Sequence, residues 1–115
     1  MNIRESTPRT AEFLLSEGNG QISREVVTLD ALVEALPAGQ VLGKLTANSR
    51  YVPYDAVATD GSQTAAALLY APAAASDDTQ QVTVIARHAE ASAELVVGAD
   101  SGAVDDLDAV GIIIR

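Results

Sequence analysis

A chain of 115 residues suits one domain and leaves little room for two. Seven basic residues face sixteen acidic ones, for a net charge of −9. With no Lys/Arg cluster to release counterions, neither nucleic acid nor an anionic membrane is an expected partner. Cysteine is absent, which removes disulfides, thiolate nucleophiles and Cys-ligated metals.

Hydrophobic residues make up 48% of the chain but aromatics only 3%. The core must therefore be built from Val, Ile, Leu and Ala. A domain this short buries only roughly 60–70% of its unfolded surface. Contact with further copies would supplement that core. The start, MNIRESTPRTAEF, has no apolar stretch of the signal-peptide kind, and no run approaches the ~20 apolar residues of a membrane span.

Residues 1–20 read as an arm separate from a β-rich body over 21–115. The arm is polar, carries Pro8, and holds one apolar knot, Phe13-Leu14-Leu15, before the turn signal Gly18-Asn19-Gly20. The body opens with a β-branched strand over 21–29. Asp30 to Leu36 suits a helical turn capped by Asp30 and stopped by Pro37. Strands follow over 40–45 and 51–54, the second at an edge because Pro53 has no N–H to donate. Asp60-Gly61 marks a reversal. Residues 65–71 read as a buried strand, and 71–80 as a loop of small residues. In 81–88, Val82, Val84 and Ala86 face one way and Thr83, Ile85 and Arg87 the other. Residues 89–98 are helical first and strand-like after Leu95. An acidic loop covers 100–106, a helical turn 105–110, and a last strand 111–115. Both faces of Ile112-Ile113-Ile114 need cover, from the chain's own core or from a subunit interface. The pattern is mainly β: a compact, barrel-like or sandwich-like domain with short helical turns.

Parts for catalysis are scarce. His88 is the only histidine, so Ser62 and Ser92 have no triad to join and a zinc site lacks ligands. Gly39 and Gly43 are too close for a phosphate loop, and Leu45 follows Lys44 where Ser or Thr is required. Asp100 to Asp106 lacks the alternating oxygens of a calcium loop. Asp55 and Asp60 belong to turns rather than to an acid–base pair. No enzyme activity, cofactor, metal or small-molecule substrate is expected.

Five segments in order carry a resemblance: EFLLSEGNGQISREVVTL (12–29), LPAGQVLGKL (36–45), YVPYDAVATDGSQTAAALLY (51–70), VTVIARHAEA (82–91) and LDAVGIIIR (107–115). Together they resemble the phage head decoration proteins similar to lambda protein D, over nearly the whole chain. The resemblance implies a non-enzymatic homotrimer with a compact β-clip fold. It implies binding to the major capsid protein, on the outer surface of the expanded icosahedral head, at threefold and quasi-threefold sites. Such a protein is made in the bacterial host cytoplasm, joins the virion, and stabilises the shell against packaged DNA. By position, the capsid-binding role falls on Glu12, Phe13, Leu14, Leu15, Ser16 and Glu17. Two other readings stay open: a different small β adaptor subunit of a phage particle, or a carrier-type β domain that presents Lys44, the only lysine.

Overall fold

The computed structural model describes residues 14–17 and 23–115. In chain order the elements are β1 (Leu14–Glu17), β2 (Arg24–Leu29), β3 (Val41–Lys44), β4 (Tyr51–Pro53), β5 (Ala65–Leu69), β6 (Gln80–Ile85), β7 (Ala89–Ala91), α1 (Ser101–Ala109) and β8 (Ile112–Ile114). Five strands close a barrel in the order β2-β4-β3-β5-β6, and β1-β7-β8 form a separate three-stranded sheet. The expectation of a mainly β, barrel-like single domain holds.

Two apolar cores explain which strands form. Each barrel strand sends at least one side chain inward, among them Val27, Leu29, Leu42, Tyr51, Ala67, Leu69 and Val84. The second core lies between the barrel wall and the outer layer. There Val41, Leu68 and Ile85 meet Ala89 and Ala91 of β7, Ile112 of β8, and Ala103 and Leu107 of α1. Strands shared by both cores are apolar on both faces, which is why AAALL of β5 shows no alternation. In β6 the expected alternation is real. Val82, Val84 and Ala86 belong to the barrel interior and Ile85 to the second core.

Four local expectations are corrected. Asp30–Leu36 is not a helical turn. It bends at 33–34 between two isolated bridges, in which Leu32 N–H donates to Ser76 O at 2.9 Å and Leu36 N–H to Ala73 O at 2.8 Å. Leu32 joins the barrel core and Leu36 packs against it, so burial overrides a spacing that also suits a helix. Residues 89–91 are strand, not helix, because Ala89 and Ala91 are buried with Glu90 between them. The stretch read as an acidic loop instead starts α1 at Ser101, where the Asp100 carboxylate accepts the Ala103 N–H at 2.8 Å. That is an N-cap bond satisfying an otherwise orphan donor. Finally, β4 is not an open edge but lies inside the barrel. It meets β2 at Leu29–Tyr51 alone, so Pro53, beyond that contact, costs no ladder bond on that side.

Candidate interaction surfaces

The residues weighed for chemistry are spent on structure. Asp60 accepts from both N–H and O–H of Ser62, at 3.1 and 2.7 Å, inside its turn. Asp55 accepts the Val57 N–H at 3.1 Å. His88 is an exposed turn residue after β6 with φ of 55°, and Gly111, φ 90°, lies against its backbone. Lys44 ends β3, exposed, with its ammonium 5.9 Å from the Tyr51 ring centre. Among the described residues no three His, Cys, Asp or Glu side chains are grouped to hold a metal ion.

One carboxylate acts as a clasp. The Tyr54 hydroxyl donates to Asp100 at 2.9 Å, tying the chain after β4 to the start of α1. The Ala103 N–H and then the Tyr54 hydroxyl hold the Asp100 carboxyl below its ordinary value. In Asp60, the Ser62 hydroxyl and N–H act the same way. A depressed folded value means the stabilisation is complete above the ordinary carboxylate value of 3.8 and vanishes as pH falls through the folded one. Desolvation, then the bond to Asp100, raises Tyr54, so alkali above about pH 10 opens the same clasp from the other side. Acid titration followed by circular dichroism is expected to cost Asp100→Asn less stability than the parent chain as pH falls from about 4 to about 2. Equal losses would mean the clasp contributes nothing.

The small sheet carries the segment expected to bind a capsid. Glu12 and Phe13 lie outside the described residues. Leu14 and Leu15 are in β1, as is the backbone of Ser16 and Glu17. β1 runs antiparallel to β7, with a register shift between Leu14 and Ser16. Leu14 packs against the second core, whereas Leu15 remains 54% exposed. β8 repeats this division: Ile112 is fully buried and Ile113 is 40% exposed. Glu90 stands opposite both Ser16 and Ile113, and Arg115 donates to its carboxylate at 3.2 Å. The open face thus presents Leu15 and Ile113 around one ion pair. The terminal isoleucines are thus shared: Ile112 and Ile114 face the chain's own core, and Ile113 is partly open to the outside.

A second apolar surface was not anticipated from sequence. There Val33 is 97% exposed, beside the exposed Ala31, Ala35, Pro72, Ala74 and Ala75. A helical turn over 30–36 gave no reason to single out Val33. The signal available was the lack of charge in 71–76, read only as a loop.

No curated protein matches the chain. A family model described as bacteriophage lambda head decoration protein D matches residues 3–112. That range takes in β1, the whole barrel, β7, α1 and the start of β8. The family is structural rather than enzymatic, and its members sit on the phage capsid. The match covers most of the chain, and the chain belongs to the lambda head decoration protein D family.

Proposed function

We propose that the protein is a homotrimer on the outer surface of the expanded icosahedral head, bound at threefold and quasi-threefold sites, where it stabilises the shell against packaged DNA. The observation that carries the reading is the family match over residues 3–112. The open apolar face at Leu15 and Ile113, continuous with the N-terminal segment, supports it. A net charge of −9 suits an exterior position, since packaged DNA is itself a polyanion.

Residues 12–17 are the capsid-binding segment in this reading, with β1 as its anchor. Leu14 is committed to the chain's own core. Phe13 and Leu15 are then the side chains that fill pockets on the major capsid protein, each worth about 1.5–3 kcal/mol when fully buried. The preceding residues add a strand to a sheet edge of the shell. Ordering costs about 1–2 kcal/mol per residue, so these two side chains offset the ordering of only a few residues, and the hydrogen bonds of the added strand must offset the rest. Three arms on one trimer bind far better, because the second and third act at high effective concentration.

Deletion of residues 1–13 spares β1 and is expected to weaken binding to expanded empty shells by about 100-fold or more. Co-sedimentation with purified shells measures this. Undiminished binding of the shortened chain would sink the arm mechanism. Leu15→Asp, at an exposed position, is expected to weaken binding with the fold intact.

A further inference from the structure

The turn between β4 and β5 carries a pair with chemistry of its own, Asp60-Gly61. An aspartyl carboxyl followed by glycine can react with its own backbone. The Gly61 nitrogen gives up its proton and bonds to Asp60 Cγ, and the carboxyl hydroxyl leaves with that proton as water. Glycine makes this easiest, having no Cβ to crowd the nitrogen. Water then reopens the five-membered imide. Cleavage of the new N–Cγ bond restores aspartate. Cleavage of the original peptide C–N bond leaves isoaspartate, with the main chain running through Cβ and Cγ. One water is lost and one regained, so no oxidant or second substrate is needed. Burial gives little protection here, since Asp60 and Gln63 are exposed and Gly61 is half-buried.

We infer that Asp60-Gly61 is a latent isomerisation site that the folded turn holds shut. The Gly61 N–H donates to Gln63 Oε1 at 2.8 Å, so the attacking nitrogen is engaged. Asp60 Oδ1 accepts the Ser62 N–H and O–H at 3.1 and 2.7 Å. Ser62 is buried, so the carboxylate is anchored to a fixed group. The same bonds favour the charged carboxylate, whereas the neutral acid is the form that loses water. Ring closure also needs rotation about the Asp60 Cα–C bond. Thr46 opposes it, because its N–H and hydroxyl both donate to the Asp60 carbonyl, each at 2.9 Å. Nor is there room to move inward: a Cβ at Gly61 would lie 2.5 Å from Lys44 O and 2.6 Å from Thr46 Oγ1. The turn therefore reacts only when these bonds open. The product has one more main-chain atom in a turn where Ser62 already presses on Gly43, so the isomerised chain is less stable. A copy carried on a phage capsid is no longer renewed by synthesis, and the lock guards it there.

The test is incubation of the full chain in warm, near-neutral buffer, folded and in urea. Samples are mapped by peptide mass spectrometry, with isoaspartate at position 60 identified by enzymatic methylation of its free carboxyl. The folded parent is expected to isomerise about tenfold or more slowly than the unfolded chain. Gln63→Ala, an exposed change that releases the Gly61 N–H, is expected to speed the folded reaction severalfold. Thr46→Ala, which removes one grip on the Asp60 carbonyl, is expected to do the same. Gln81→Ala removes an exposed glutamine from β6 and is expected to match the parent. Circular dichroism and the urea midpoint check that each variant is folded, so that faster reaction is not general unfolding. Equal rates in the folded and unfolded parent overturn the lock. So does a folded Gln63→Ala and Thr46→Ala pair that reacts no faster than the parent, or a Gln81→Ala that speeds up as much. Absence of isoaspartate at position 60 even in urea overturns the site itself. None of these outcomes bears on the trimer or on the arm.

Discussion

Gly43→Ala is expected to destabilise the protein by about 3 kcal/mol, read as a lower urea midpoint with an unchanged slope. A Cβ at Gly43 would lie 2.6 Å from Ser62 Cα, 2.7 Å from its carbonyl oxygen and 2.9 Å from its carbonyl carbon. All three are backbone atoms, so no side chain can swing aside. Ser62 cannot retreat easily either. Its N–H and hydroxyl are held by Asp60, and its carbonyl accepts the Asp55 N–H at 3.0 Å. The close approach coincides with the register shift between Leu42 and Gly43 in the pairing of β3 with β5. Lys44→Ala, one residue on and exposed, is the control and is expected to change stability by under about 0.5 kcal/mol. Gly43→Ala within that same margin would mean the 60–62 turn yields freely.

Leu68→Ala is expected to cost about 2–5 kcal/mol. Leu68 is fully buried, lies between Val41 and Ile85 across the sheet, and faces the core beneath β7, β8 and α1. The buried members of that core are all aliphatic, and Tyr54 and Tyr70 pack only at its margin, half-buried. The loss is a large share of the roughly 5–15 kcal/mol typical of a whole domain. Leu42→Ala tests the barrel interior in the same way. Calorimetry or urea unfolding measures both. A loss under about 1 kcal/mol at Leu68 would show that α1 and the small sheet collapse onto the gap.

Much of the barrel was legible because its strands are rich in β-branched residues and bounded by turn signals. Val26-Val27-Thr28 of β2 and Val82 to Ile85 of β6 alternate as strands do, and Asp60-Gly61 turns as such pairs turn. Closure was not legible, because β2 and β4 join through Leu29–Tyr51 alone. The segment 30–36 was misread because Leu32 and Leu36 are spaced as on a helix; only their hydrogen bonds to Ser76 and Ala73 decide for a bridged path. Helix α1 hid behind Gly102 and a run of aspartates, although Asp100 three residues before Ala103 was a usable cap signal. Of the interaction surfaces, the FLL knot was visible as apolar residues in polar surroundings. Its division, Leu14 inward and Leu15 outward, required β7 as a partner.

Closure of the five strands has a consequence for a protein meant to be crowded on a particle. A closed ring leaves few unpaired strand edges, the gap between β2 and β4 beside Leu29–Tyr51 being the exception, so neighbouring rings have little to zip together with. Among the described residues, the outer rims of β1 and β8 are the two edges of the open sheet, where a foreign strand meets a continuous free ladder. Strand addition is thereby directed chiefly to the small sheet, the layer to which β1 belongs.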